Sequence, residues 1–277
     1  MDNKSYDVII IGAGPGGIFS SYELSQLVPS LKIGVFELGN PLEKRHCPID
    51  GDKVTHCLNC KTCAIMNGFG GAGAFSDGKY NITNDFGGTL HEYIGQKAAL
   101  DLMTYVDTIN TRFGGDKTKL YSTENTKLKI KCLQHGLHLL DASVRHLGTD
   151  INYLVLENIY NATKDKVDYY FNSPVLSVSH NKDTYTVNLK DQFYTCKYCI
   201  ISVGRSGSKW VENLCKEMDI PTSSNRVDIG VRVELDANIF KEITDEVYES
   251  KIVYKTEKYQ DNVRTFCMNP KGAVVTE

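Results

Sequence analysis

Two groups of residues in this sequence have types and spacings that can do chemistry: a glycine-rich turn followed by an acidic residue, and a run of cysteines. In the turn, Gly12, Gly14 and Gly17 have the G-x-G-x-x-G spacing. The first glycine of this motif permits a tight turn, the second lets a pyrophosphate approach the backbone, and the third lets the helix pack on the strand. The pattern predicts a dinucleotide-binding turn. Its predicted contact residues are Gly12, Ala13, Gly14, Pro15, Gly16 and Gly17.

The elements around the turn are those that the motif requires. Val8–Ile11 is an unbroken branched apolar run, which is typical of a strand buried in a parallel sheet. Pro15 suits the first turn of a helix, which we expect to end before the next proline. A second predicted strand, Leu31–Leu38, carries Glu37, twenty residues after the last glycine of the motif. A carboxylate there can bind the ribose hydroxyls of FAD or NAD, and it would repel the 2′-phosphate of NADP.

Nine cysteines are many for a sequence without an export signal. We expect cytosolic thiols, metal ligands or redox groups rather than a disulfide framework. The two-residue gaps of C-x-x-C-x-x-C, in an insertion at 46–63, let successive thiolates reach one zinc ion or iron–sulfur cluster, with His46 and His56 as alternative zinc ligands. A redox-active dithiol and unliganded thiols are the alternatives. The predicted metal ligands are Cys47, Cys57, Cys60 and Cys63.

A second glycine-rich segment, GGAGAFSDGK at 70–79, follows the cysteines. Its glycines allow close approach to a flat or anionic ligand, and its polar side chains add groups that can bind one. A simple flexible surface loop is the alternative. The predicted cofactor contacts here are Gly71, Ala72, Gly73, Ser76, Asp77 and Lys79.

Composition restricts the classes of function. The 277 residues are 41% hydrophobic, which is enough for a sizeable core. With 31 basic and 34 acidic residues the net charge is −3, so no basic excess favours nucleic acid or an anionic membrane. No apolar run approaches the roughly 18 residues of a membrane span, and the first strand leaves no room for a signal or transit peptide. We expect a cytoplasmic protein that acts on a small molecule.

At these residues the chain resembles the bacterial family of FAD-dependent dehydrogenases, or NAD(P)/FAD-dependent oxidoreductases. That family is similar to the geranylgeranyl-reductase and p-hydroxybenzoate-hydroxylase class of flavoproteins. The resemblance implies an oxidoreductase with FAD as cofactor and NAD(P)H as a candidate electron donor, and it implies no settled substrate. It is carried by GAGPGG (12–17) with Glu37, Arg45 with the cysteine run, GFGGAGAFSDGKYN (68–81), VRHLGTD (144–150), ISVGRSGSKW (201–210), VDIGVRVE (227–234) and VRTFCMNPKG (263–272).

The resemblance implies an α/β fold, with a two-dinucleotide-binding, Rossmann-like FAD domain and a mixed α+β substrate domain. The expected domains are 1–90 (first part of the FAD domain), 91–148 (helical segment of the substrate domain), 149–210 (second part of the FAD domain) and 211–277 (start of the substrate domain). Hydrophobic patterning predicts helices at 91–112, 150–162 and 211–218. It predicts strands at 167–171, 175–179, 184–189, 198–203, 228–235 and 251–255.

The same resemblance suggests roles for single residues. Arg45 belongs to the cofactor site, the backbone of Val175 meets the adenine, and Gly204 lies near the cofactor at the end of a buried strand. Among the catalytic candidates, Lys79 can stabilise the negative charge of reduced flavin and Asp77 can orient it or shuttle a proton. The third candidate for proton transfer is His146. A cluster on the four cysteines would relay electrons to the flavin.

Two further expectations concern the C-terminal half. Cys196 and Cys199 have C-x-x-C spacing, but residues three apart in a strand point to opposite faces or lie apart, so we expect no redox pair. Flavoproteins of this class end the FAD domain with a Gly-Asp pair, and none follows Gly204. We therefore expect a fragment in which both domains are incomplete at the C-terminus. An NAD-linked dehydrogenase and a non-catalytic flavin-binding redox sensor are the rival functions.

Overall fold

The computed structural model describes residues 4–224, 227–247, 249–268 and 270. The chain divides into two compact units, each made from two separate stretches of sequence. Unit 1 comprises Met1–Gly78 and Gly148–Asn225, and unit 2 comprises Lys79–Leu147 and Arg226–Glu277. Within the described residues, no helix is both long and apolar enough to cross a membrane.

The regular elements of the described residues are numbered here in chain order. The strands are β1 (Ser5–Ile11), β2 (Ile33–Phe36), β3 (Lys79–Ile82), β4 (Leu120–Ser122), β5 (Leu137–Leu139), β6 (Ser143–His146), β7 (Val167–Tyr170), β8 (Ser177–Asn181), β9 (Thr184–Asn188), β10 (Phe193–Ile201), β11 (Ile252–Lys255) and β12 (Asn262–Arg264). The helices are α1 (Pro15–Leu27), α2 (Leu90–Ile94), α3 (Gln96–Arg112), α4 (Thr126–Gln134), α5 (Gly148–Thr163), α6 (Ser208–Glu217) and α7 (Ala237–Val247).

Unit 1 is built on a six-stranded sheet in the order β7-β2-β1-β10-β9-β8. Strands β7, β2, β1 and β10 are parallel, whereas β8 and β9 form an antiparallel hairpin that pairs with β10. This sheet confirms the predicted α/β class with parallel strands. The branched apolar run of β1 explains its central place, because Ile9 and Ile10 are fully buried. Helix α1 begins at Pro15 and ends at Leu27, before the next proline, as predicted.

Strand β1 has an irregularity near its N-terminal end. The backbone N–H groups of Asp7 and Val8 both donate to the carbonyl of Lys32, at 2.9 and 3.2 Å, which is the pattern of a β-bulge. A bulge inserts one residue, so side chains three apart can face the same side. The prediction that Cys196 and Cys199 point to opposite faces or lie apart is wrong, because both side chains pack into the same hydrophobic cluster.

The described residues of unit 2 form two three-stranded sheets, ordered β3-β6-β4 and β12-β11-β5. A buried ion pair joins the first of these sheets to α3. Arg145 donates from Nε and Nη2 to the two carboxylate oxygens of Asp107, at 2.6 and 2.8 Å, and from Nη1 to the carbonyl of Thr118 at 2.6 Å. The hydrogen bond to Asp107 raises the pKa of Arg145. Arg145 thus keeps its positive charge inside this unit.

Two predictions about unit 2 need correction. The predicted strand at 228–235 is wrong, because 227–236 has no regular structure and pairs with no strand among the described residues. Its apolar side chains are exposed, up to 94% at Ile229. The predicted helix at 91–112 is divided at Gly95, whose φ of +85° lies outside the helical region. The predicted strand at 251–255 is confirmed as β11, and residues 271–277 lie outside the described residues.

Candidate functional site

The glycine turn between β1 and α1 has two kinds of glycine. Gly12 has a φ of +100°, and a Cβ atom there would lie 2.5 Å from the carbonyl oxygen of Ser202. A Cβ at Gly17 would lie 1.9 Å from the carbonyl oxygen of Gly12. At Gly14 the nearest atom to such a Cβ is the Cα of Gly71, at 3.9 Å. The fold therefore requires the first and third glycines, whereas a Cβ atom at the second would only touch the backbone of Gly71 at an ordinary van der Waals distance.

The N-terminus of α1 is open to a ligand. Gly14 is its N-cap residue and makes no side-chain cap hydrogen bond, and Pro15 and Gly16 are exposed. The first-turn N–H groups of a helix have no partner within the helix, and the helix dipole places partial positive charge at the same end. Such an end binds phosphate and other anions. The local geometry thus suits the pyrophosphate of a dinucleotide.

Glu37 is buried beneath the turn, 6% exposed. Its Oε2 accepts a hydrogen bond from the N–H of Ala13 at 2.7 Å, and its Oε1 accepts from the N–H groups of Gly39 and Gly68, at 2.8 Å each. The carboxylate therefore ties the glycine turn to the segment after β2 and to the start of the second glycine-rich segment. The sequence predicts the position of this acid but not these three partners. Its contact with a ribose stays a prediction.

Most of the second glycine-rich segment belongs to a loop, residues 68–78, that is called here the glycine loop and lies directly beside the turn. The N–H of Gly70 donates to the carbonyl of Ala13 at 2.8 Å. A Cβ at Gly71 would approach the Cα of Gly14 to 3.0 Å, so the two backbones almost touch. From this contact the chain turns into a 3-10 helix, Gly71–Phe75. The two glycine motifs are separate in sequence and adjacent in space.

Arg45 holds the glycine loop in place through hydrogen bonds to the backbone. Its side chain is 3% exposed, and its guanidinium donates four hydrogen bonds to backbone carbonyls. Nη1 donates to Phe69 and Gly71 at 2.7 and 2.9 Å, while Nε and Nη2 donate to Ala64 and Ile65 at 2.9 and 2.8 Å. Burial lowers its pKa to about 10. These bonds make Arg45 a positioning residue, and its predicted contact with a cofactor stays a prediction.

Two further contacts fix the loop, and neither is predicted from the sequence. Asn152 on α5 is buried and donates from Nδ2 to the carbonyls of Gly73 and Ala74, at 2.9 and 3.3 Å. Phe69 is fully buried, and its ring packs edge-on against Tyr160 with centroids 5.1 Å apart. A buried polar side chain and a buried ring thus hold the loop in place.

The remaining predicted residues of unit 1 lie in several places. Ala72 and Ser76 are exposed on the glycine loop, and Asp77 is half-buried at its end. Val175 packs against the core cluster of the sheet, and Gly204 follows β10 with a φ of +65°. Their contacts with a cofactor stay predictions.

Lys79 and His146 belong to unit 2, where they are paired across β3 and β6. Lys79 Nζ forms a buried ion pair with Glu249 at 2.9 Å and donates to the carbonyl of Met268 at 3.0 Å. Lys79, His146 and Glu249 line a cavity of about 10 Å³, roughly the space of one water molecule. The sequence pattern does not reveal Glu249. The catalytic roles of Lys79 and His146 stay predictions.

The four predicted metal ligands are not brought together. Cys57 and Cys60 are exposed, while Cys47 and Cys63 are half-buried. Among the residues that the structure describes, no three His, Cys, Asp or Glu side chains form a group that can hold a metal ion. The arrangement therefore lends no support to zinc or an iron–sulfur cluster at this segment.

Comparison with known proteins adds little to this geometry. No family model matches the chain. A curated protein of Clostridium beijerinckii, described as uncharacterized, is 25% identical over a region that covers 96% of this chain and 45% of that protein. The chain therefore spans less than half the length of the curated relative that it matches.

Solved structures with a similar arrangement include three enzymes. Glycine oxidase from Geobacillus kaustophilus has a TM-score of 0.46 and 13% identity, with 78% of this chain and 59% of that chain covered. E. coli quinol fumarate reductase has a TM-score of 0.44 and 10% identity, covering 75% and 34%. L-amino acid deaminase from Proteus vulgaris has a TM-score of 0.39 and 12% identity, covering 79% and 51%. None of these three scores reaches 0.5, so the function proposed below depends on the residues of this chain.

Proposed function

We propose that unit 1 binds the adenosine diphosphate part of FAD and that the protein is an FAD-dependent oxidoreductase of unassigned substrate. One observation carries the proposal. The N-terminus of α1 has no side-chain cap, its first residues Pro15 and Gly16 are exposed, and the glycine loop lies beside Gly14. A pyrophosphate suits this helix end, because the backbone there offers N–H donors and partial positive charge.

The residues around the turn have different roles in binding. The first-turn amides of α1 hold the pyrophosphate, while Glu37 and Arg45 keep the turn and the loop at a fixed separation. The glycine loop offers backbone without bulky side chains to a flat ring system. This feature supports FAD rather than NAD as the cofactor, because the glycine loop makes the binding site longer than an adenosine diphosphate group requires. Bound FAD supplies the hydride or electron transfer.

The side chains proposed to act on the reaction are Asp77, Lys79 and His146. Asp77 orients the reacting group or moves a proton at its carboxylate, and Lys79 stabilises negative charge at its ammonium. His146 exchanges a proton at its ring. NAD(P)H is the proposed electron donor. An electron relay through the cysteines is not part of the proposal, because the structure does not gather them.

The test is FAD binding by a matched pair of glycine variants. Gly14→Ala places a methyl group in the proposed pyrophosphate space without a clash, since its nearest neighbour would be 3.9 Å away. Gly230→Ala is the control, because a Cβ there meets nothing within 4 Å and lies in unit 2. We expect the first variant to weaken FAD binding at least tenfold, about 1.4 kcal/mol, and the second to leave it unchanged.

Titration followed by the visible flavin absorbance measures the affinity, and chromatography of the cofactor released on heating identifies it. Equal affinity in the two variants would refute the pyrophosphate site. Release of NAD, with no flavin absorbance after reconstitution, would favour the NAD-linked dehydrogenase. A bound flavin that neither NADH nor NADPH reduces would favour the redox sensor.

A further inference from the structure

Lys79 and Cys267 are neighbours in unit 2, although 188 residues separate them in the sequence. Lys79 Nζ donates a hydrogen bond to the Sγ atom of Cys267 at 3.8 Å. The lysine side chain is 11% exposed, whereas Cys267 is exposed to solvent. A mostly buried amine therefore lies beside a sulfur atom that small solutes can reach.

The surrounding groups hold the Lys79 nitrogen beside this sulfur. Its Nζ atom pairs with Glu249 Oε2 at 2.9 Å and donates to the carbonyl oxygen of Met268, the residue after Cys267, at 3.0 Å. The other carboxylate oxygen of Glu249 pairs with Lys251, whose side chain is buried. Glu249 thus keeps a buried counterion even if the Lys79 nitrogen loses its charge.

We propose that Lys79 and Cys267 form a reversible covalent cross-link, a sulfenamide, when a peroxide oxidises the thiol. A peroxide converts an accessible thiol to a sulfenic acid, which can then condense with a neighbouring nitrogen. Lys79 supplies that nitrogen, and its flexible four-carbon chain can close the gap between Nζ and Sγ. The cross-link would join strand β3 to the segment that follows β12.

The reaction has two balanced steps. In the first, hydrogen peroxide takes two electrons from the Cys267 sulfur, so that the thiol becomes a sulfenic acid and one water molecule is released. In the second, the Lys79 ammonium group releases one proton to solvent, and its nitrogen attacks the sulfur. The S–O bond breaks as the N–S bond forms, and the departing hydroxide takes a proton from the nitrogen to become water. Dithiothreitol reverses the modification, because its two thiols become a disulfide and restore the amine and the cysteine thiol.

The test treats the folded full chain with hydrogen peroxide after Cys57, Cys60 and Cys63 have been replaced by serine, so that this cysteine run cannot form a disulfide of the same mass change. We expect each chain to lose about 2 Da, the mass of the two hydrogen atoms that the overall reaction removes. Peptide mapping without reductant should find Lys79 linked to Cys267, and dithiothreitol should separate them.

Lys79→Arg is the decisive variant, because it keeps a positive charge for Glu249 but replaces the nucleophilic amine by a guanidinium. It should lose the cross-link and leave Cys267 as a sulfenic acid that dimedone labels. Lys258→Arg is the matched control, because Lys258 is an exposed lysine of the same unit, and it should keep the cross-link.

Three results would overturn the proposal: a cross-link that persists in Lys79→Arg, oxidation of Cys267 to a sulfinic or sulfonic acid with Lys79 unmodified, or a cross-link that forms only in urea. Circular dichroism checks that each variant is folded. If Lys79→Arg does not fold, loss of the cross-link in Cys267→Ser decides together with the peptide map, because the Cys267 side chain is exposed. The experiment contains no FAD, so its outcome is independent of the proposed function.

Discussion

At the scale of single residues, the three glycines of the dinucleotide motif are not equivalent. A Cβ at Gly17 would lie 1.9 Å from the carbonyl oxygen of Gly12, a distance that backbone atoms cannot relieve without moving. We expect Gly17→Ala to lower the free energy of unfolding by about 3 kcal/mol, because overpacking forces a backbone shift. Gly14→Ala should change it by less than about 1 kcal/mol. Urea unfolding followed by circular dichroism measures both, and similar losses would contradict the assigned roles.

Glu37 gives a second prediction at this scale. Its carboxylate accepts three backbone N–H groups, and an amide in its place offers one acceptor oxygen and an NH₂ group that faces donors. We expect Glu37→Gln to cost about 2–4 kcal/mol of unfolding free energy without any ligand, since buried donors lose charged partners. Denaturant titration of the ligand-free protein checks this. If Glu37 only bound the ribose of a ligand, the free energy of unfolding would be unchanged and only the affinity for FAD would fall.

At the scale of elements, the glycine loop depends on one arginine. Arg45 donates to carbonyls at Ala64, Ile65, Phe69 and Gly71, which join the end of the cysteine segment to the loop. A lysine in place of Arg45 would keep the positive charge, but it lacks the planar, forked set of N–H donors of a guanidinium. It therefore cannot make all four hydrogen bonds. We expect Arg45→Lys to increase amide hydrogen exchange over 64–75 at least tenfold, while β1 keeps its protection.

Lys44→Arg is the control for this prediction, because Lys44 is exposed next to Arg45 and its replacement leaves the loop bonds intact. Hydrogen exchange with mass spectrometry resolves the peptides that contain each segment. Unchanged exchange over 64–75 in Arg45→Lys would show that Phe69 and Asn152 suffice to hold the loop.

At the scale of the whole molecule, unit 2 has its own internal determinant of stability. The ion pair between Arg145 and Asp107 is buried, with each side chain 10% exposed. Asp107→Asn would leave the buried positive charge of Arg145 without its counterion. We therefore expect the free energy of unfolding to fall by about 3–5 kcal/mol. Hydrogen exchange in β6 and α3 should increase. Asp101→Asn, at an exposed position of α3 in the same unit, is the control. No change in β6 would mean that the pair adds nothing to the stability of this unit.

The predictions from sequence succeeded where the information is local. The run from β1 through the glycine turn and α1 to β2 is predicted because apolar runs, glycines and prolines act over a few residues. The strand predicted at 228–235 was wrong for the opposite reason. Alternation of apolar and polar residues shows that a segment can form a strand, but a strand also needs a neighbour, and none of the described residues pairs with this one.

The amino-acid sequence by itself determined the order of helices and strands around the first glycine motif, and it predicts the type of ligand proposed for the turn. Only the tertiary structure decided that the second glycine motif lies against the first, that Glu37 and Arg45 hold them together, and that Cys196 and Cys199 share one face. The physical reason is that the contacts of the glycine motifs, Glu37 and Arg45 join residues that are distant in sequence, while the shared face of the two cysteines depends on the local geometry of their strand. The spacing of residues along the chain specifies neither kind of arrangement.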